Sequence, residues 1–182
     1  MAVRSGSKFK LTYEDYAALP TDGRVHQIID GEHVVNPAPT PYHQRVSSRI
    51  LVQLIVQLQE PGLAEVLPAP IDVQLSETDI VQPDLVVLHR ANLHIVTPTK
   101  IKGAPDLVVE VLSPSTARVD RVLKRELYRR AGVAEFWIVD PDEHMLEQLR
   151  LEDGDYRPLG RHAEEVVYAG LPQVRIDLRR VW

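Results

Sequence analysis

Asp84, Glu110 and Lys124 carry side chains whose types and placement suit phosphodiester hydrolysis. Asp84 stands just ahead of the apolar run Leu85-Val86-Val87-Leu88, and Glu110 interrupts another, Val108-Val109-Glu110-Val111-Leu112. A carboxylate inside an apolar strand is costly to bury unless it is paired or holds a cation. Two such groups can bind Mg²⁺ or Mn²⁺, whose charge supports an attacked phosphate and activates water. An ammonium nearby can orient that water or stabilise developing negative charge. Each residue also has a plain structural reading. Glu110 can pair with an arginine of the next helix, Gln-Pro-Asp is a common entry into a strand, and a helix lysine is ordinarily solvated. Asp106 repeats the local pattern of Asp84 in Pro105-Asp106-Leu107-Val108. Its place outside the middle of the strand reads as a turn or edge residue.

Asp120, Lys124 and Tyr128 are spaced four apart and share one helix face. Leu123 and Leu127 lie on an adjacent face that, with Val119 and Val122, is expected to turn to the core. His43 follows a proline-stiffened turn, where it suits contact with phosphate, proton transfer, capping or packing. Gln27 and Asp30 lie near a first hairpin. The chain has no P-loop, dinucleotide glycine fingerprint, HExxH or GxSxG. Ser113-Pro114-Ser115-Thr116 suits a helix cap at Ser115 or Thr116, or a phosphate contact, and is not a nucleophile elbow.

The elements that must position these groups are legible in periodicity. Thr12, Glu14 and Asp15 suit the start of a short helix with Leu11, Tyr16 and Leu19 inward. Val25–Ile29 and 33–35 read as a hairpin around Asp30-Gly31. A helix is expected over 42–59, with Val46, Ile50, Leu51, Leu54, Ile55 and Leu58 as its buried stripe. Residues 71–75 alternate as a half-buried strand, and 80–88 read as one continuous central strand. The segment 89–102 has no strong period and suits a flexible loop with a short helical piece, beside a ligand groove. Residues 107–112, a helix over 117–130 and a strand over 135–139 form a plausible crossover unit, with Gly132 ending the helix. A hairpin over 145–159 and a last edge over 165–178 follow. The class is α/β or α+β: a mixed sheet flanked by helices.

At 182 residues the chain suits one core, so residues 11–182 are expected to be a single domain after a loose tail of residues 1–10. Without cysteine it can form neither disulfides nor thiolate metal sites, which fits a reducing compartment. No apolar run approaches the roughly 18 residues of a membrane span, and a soluble cytoplasmic protein is the expectation. A net charge of -5 argues against a basic nucleic-acid coat but not against a nuclease, whose acidic site a bound cation offsets. Arg118, Arg121, Lys124, Arg125, Arg129 and Arg130 form a local basic cluster that also reads as one wet helix face.

The segments HQIIDGEHVVNPAPTPYHQRV, IVQPDLVVL and GAPDLVVEVLSPSTARVDRVLKRELYRRAGVAEFWIVDP together resemble the Uma2 family of restriction-endonuclease-like proteins, over nearly the whole chain. The resemblance implies a PD-(D/E)XK nuclease fold, with a site for Mg²⁺ (or Mn²⁺) at one edge of a mixed sheet. It places the two acidic positions on Asp84 and Glu110. The place two residues after Glu110, where the broader pattern has lysine, holds Leu112, and the family's lysine falls on Lys124. The family's histidine matches His43. Where the family usually has glutamate this chain has Gln27, which offers an amide oxygen but no charge. The expected activity is metal-dependent endonuclease cleavage, with Asp84, Glu110 and Lys124 catalytic and Gln27, His43 and Tyr128 in support. DNA is the expected partner, and a homodimer would reach both strands. The rival reading is an inactive nuclease fold that binds nucleic acid or protein.

Overall fold

The computed structural model describes residues 9–20, 22–114 and 117–182. The tail through residue 8 and the proposed caps Ser115 and Thr116 lie outside the described residues. In chain order the elements are α1 (Tyr13–Ala17), β1 (Val25–Ile29), β2 (Glu32–Asn36), α2 (Pro41–Leu54), β3 (Ala64–Pro68), β4 (Val73–Ser76), β5 (Asp79–Val81), β6 (Leu85–His89) and β7 (Ile101–Lys102). Then come β8 (Leu107–Val111), α3 (Arg125–Ala131), β9 (Glu135–Asp140), β10 (Met145–Glu152), β11 (Asp155–His162), β12 (Glu165–Val167) and β13 (Arg175–Asp177). Among the described residues no helix is long and apolar enough to cross a membrane.

Two mixed sheets carry most of the strands. One runs β11-β10-β9-β8-β6-β3, the other β2-β1-β5-β4-β7, and β12 pairs with β13 separately. In the first sheet β8 and β9 are parallel, as a crossover requires, whereas β6 and β8 are antiparallel. The arrangement is the mixed sheet flanked by helices expected from the sequence.

α2 starts at Pro41, whose fixed φ suits a first helical turn, and the Thr40 hydroxyl accepts from the His43 N–H as its cap. Its stripe of Val46, Ile50 and Leu54, continued by Leu58, packs on Val87, Val109 and Trp137 from one face of the six-stranded sheet. Full burial of each such side chain is worth about 1.5–3 kcal/mol. The opposite sheet face presents Val86, Val108 and Ile138 to Leu127 and Tyr128 of α3. Strand alternation therefore assigns odd positions of β6 and β8 to α2 and even ones to α3.

Several expectations need correction. The continuous strand over 80–88 is two strands: β5 ends in one sheet and β6 begins in the other. Pro83 at the break has no N–H to offer a ladder. The helix over 42–59 keeps its path, but Ile55–Gln59 are π-helical. The helix over 117–130 contains a π-helical segment at Val119–Lys124. Val122 and Leu123, expected inside, are 58% and 47% exposed. The i→i+5 turn departs from the 3.6-residue period on which that expectation rested, and the Asp120–Lys124–Tyr128 face points inward instead. Leu11, Tyr16 and Leu19 are half-buried, since five-residue α1 has no buried residue. The segment 89–102, by contrast, holds the short helical piece expected of it, a 3₁₀ turn over Arg90–Ile95, before β7.

Candidate active site

Antiparallel pairing sets Leu85 opposite Val109 and Val86 opposite Val108. One step beyond this register, Asp84 faces Glu110, and both are even positions on the α3 side of the sheet. Sheet geometry thus gathers two carboxylates that lie 26 positions apart in the chain.

Asp84 is held by its own strand neighbours. Its Oδ2 accepts from the Val111 N–H at 2.7 Å and lies 3.3 Å from His43 Nε2. The same ring nitrogen of His43 is 2.8 Å from the Val111 carbonyl oxygen, and donates to it in the Nε2–H tautomer. Val111 is therefore gripped through both its N–H and its C=O, which ties α2 to the end of β8. Burial alone would lower the His43 pKa; the hydrogen bond and charge of Asp84, with the Val111 carbonyl, leave it raised.

Glu110 is 2% exposed. Its Oε1 accepts from Lys124 Nζ at 2.9 Å and from the Tyr128 hydroxyl at 2.6 Å. Lys124 is equally buried, and its Nζ lies 3.2 Å from Asp120 Oδ1. Two carboxylates thus share one ammonium. Burial, reinforced by the charges of Asp120 and Asp84, pushes Glu110 up to about 8 against the opposing pull of Lys124. Burial disfavours the charged form of Lys124, but Glu110, then Asp120, hold its proton more firmly than usual. Burial and then Glu110 keep the Tyr128 phenol protonated as a donor.

The structure brings Asp84, Glu110, Lys124 and Tyr128 together, with His43 against Asp84. Gln27 is fully buried but spends its Oε1 on the Gln82 N–H at 3.1 Å, two residues before Asp84. It braces the segment that delivers Asp84. Asp120 is the residue that the sequence reading left out of the site. Its four-residue spacing to Lys124 was the available signal.

Asp106 takes the other reading. Its Oδ2 accepts from the His89 N–H at 2.7 Å and its Oδ1 from Asn92 Nδ2 at 2.6 Å. The basic cluster is largely neutralised: Arg121 pairs with Asp140 and Glu147, Arg129 with Glu126, and Arg130 with Asp79.

Above Asp84, Glu110, Asp120 and Lys124 opens a cavity of about 670 Å³, with exposed prolines among its outer residues. The donors at its base are carboxylate oxygens, the ligand type of Mg²⁺ and Mn²⁺. Their surplus negative charge fits a cation, and Asp120 Oδ1, buried without a hydrogen bond, already lies 3.2 Å from the Lys124 ammonium. Among the described residues no three acidic or histidine side chains already converge at ligand spacing. The chemistry of the donors fits the metal, while Lys124 stands between two of them.

Comparison with known proteins comes to the same fold. A family model, Uma2, described as "Putative restriction endonuclease", matches residues 13–179. No curated protein matches the chain. A solved structure described as a putative nuclease belonging to DUF820 from Anabaena variabilis is 16% identical, with a TM-score of 0.78. That likeness covers 94% of this chain and 97% of the other, and speaks for the fold alone.

Proposed function

The chain belongs to the Uma2 family, and from that premise we propose that it is a divalent-metal-dependent nuclease hydrolysing phosphodiester bonds, with DNA as its first substrate. The observation that carries this reading is half-buried Asp84 grouped with buried Glu110, Asp120 and Lys124 at the base of one cavity.

Asp84 and Glu110 would hold Mg²⁺ or Mn²⁺, with Asp120 across Lys124 from Glu110. The bound ion would supply charge to the phosphate and a more acidic water. Lys124 carries its proton at Nζ beside Glu110, where it orients the carboxylate and offers positive charge to a developing oxyanion. Tyr128 donates to the same Oε1 and fixes its direction. His43 and the Val111 peptide hold Asp84 Oδ2, which leaves Oδ1 without a partner among the described residues.

The test is cleavage of varied DNA and RNA with Mg²⁺ or Mn²⁺, with Glu110→Ala in parallel. The reading expects metal-dependent cleavage that the variant lacks. Cleavage kept by Glu110→Ala sinks it. The second reading, a binding module without turnover, draws on the ammonium already seated between Glu110 and Asp120. Binding without cleavage in any metal would favour it.

A further inference from the structure

Duplex binding draws most of its affinity from several cations laid along two phosphate backbones. The cavity offers little of this. Among the described residues its lysines and arginines are Arg24 and Lys124, and Lys124 is 2% exposed and paired with two carboxylates. Arg24 is exposed, with Asp22 3.6 Å away.

The outer wall has a different character. Pro37, Pro39, Pro70 and Pro114 line it from three separate segments, with Ala38 and Ala69 between them, and all six are exposed. Rigid apolar faces left in water around a concave site suit an apolar, flat group of a ligand. The volume of about 670 Å³ falls within the roughly 300–1,000 Å³ of pockets that enclose small ligands. Polar groups lie at the base and apolar groups at the rim.

We infer that this cavity receives an unpaired nucleotide of a single-stranded nucleic acid, with its base against the proline rim and its phosphate toward Asp84, Glu110 and Lys124. This rests on the hydrolase reading for what the base of the cavity does, and on the rim for what enters it. A base in a duplex is stacked and paired, and must leave the helix to reach such a pocket. A single strand presents it at no such cost, and base stacking on an aromatic side chain, worth about 1–3 kcal/mol, sets the upper bound for contact with a proline face. Arg24 supplies one contact to the strand's backbone at the rim. DNA and RNA share this chemistry.

The test compares binding of fluorescent 12-mers (single-stranded DNA, single-stranded RNA and duplex DNA) by anisotropy with Ca²⁺ present, for the wild type and Ala38→Leu. Ala38 is exposed on the rim, so leucine there narrows the mouth without touching the core or adding an aromatic face. One or both single strands should bind about tenfold tighter than the duplex, which corresponds to about 1.4 kcal/mol. Ala38→Leu should lose that preference. Duplex binding as tight as single-strand binding, or a preference that Ala38→Leu leaves intact, overturns the inference. Cleavage of the same oligonucleotides with Mg²⁺ is read separately. Single-strand selectivity without any cleavage sinks the hydrolase reading alone, and efficient cleavage of uninterrupted duplex sinks the single-strand inference alone.

Discussion

Strands β6 and β8 are each entered by the same five residues, Pro-Asp-Leu-Val-Val, and because they run antiparallel the two aspartates sit at opposite ends of one ribbon. The local device is the same at both ends. Asp84 accepts from the Val111 N–H and Asp106 from the His89 N–H, each at 2.7 Å and at the same offset across the pair. A histidine nitrogen stands 3.3 Å from the first and 3.4 Å from the second. The ends part at the facing position, which is Glu110 opposite Asp84 and Leu88, fully buried, opposite Asp106. Asn92 then completes Asp106 as a closed structural cap. At the other end the second carboxylate demands a cation, and the helix after β8 supplies Lys124. The strand-entry aspartate is common to both ends; what separates them is the residue that stands across from it.

The sharpest attempt to break this comparison is the same substitution at both ends. Asp84→Asn should lower metal-dependent cleavage by about two to three orders of magnitude, as loss of a charge-stabilising group does. Asp106→Asn should leave cleavage intact and lower the unfolding free energy by about 1–3 kcal/mol, because its new amide meets donors. Cleavage rates and urea melts of both variants decide it, and equal loss of cleavage would erase the distinction. Next in size is Lys124→Met, which strands Glu110 and Asp120 without their cation. Denaturant unfolding should show a loss of about 3–5 kcal/mol, as for other broken buried pairs. Adding Glu110→Leu, which copies Leu88, should recover part of the stability and none of the cleavage.

These ends differ in how well their roles could be read from the letters alone. Glu110 was visible because a charge inside five apolar residues contradicts its surroundings, and Asp106 because it stands at the strand's edge. The break between β5 and β6 had a signal in Pro83, but the apolar residues around it mask a change of sheet. Pairing of β1 with β5, and of β4 with β7, depends on contacts between distant segments that no local period reports. Asp120 was missed for a different reason: its spacing marks a helix face, but whether that face is wet or dry depends on Glu110 across the gap. Val122 and Leu123 misled because a 3.6-residue period does not carry through a π turn.

A gentler probe is pH. The carboxyl of Glu110 is raised in the fold from its ordinary 4.5 to about 8, chiefly by burial. A raised value favours the protonated folded form, so its contribution to stability is full below about 4.5, falls as pH rises, and is lost by about 8. Metal-free melts across this window should show the wild type losing stability relative to Glu110→Gln, and millimolar Mg²⁺ should flatten the trend. The Asp106 end should add no such slope. The smallest effect belongs to Leu123→Gln on the helix that closes the Asp84 end. At 47% exposure it should change unfolding free energy by no more than about 0.5 kcal/mol. A loss of several kcal/mol would return that residue to the core.

The π turn at Val119–Lys124 holds one residue more than an α turn would. Reckoned in letters, the cation has left its post, for the second residue after Glu110 is Leu112. Reckoned in ångströms it never moved: Nζ is 2.9 Å from the carboxylate. The vulnerability this creates is to deletion rather than replacement. Removing one residue ahead of Lys124 would swing the lysine by about 100° around the helix axis, since each residue of an α-helix turns through that angle. Every candidate side chain would still be present in such a protein, in order, with the ammonium pointing at the wrong wall.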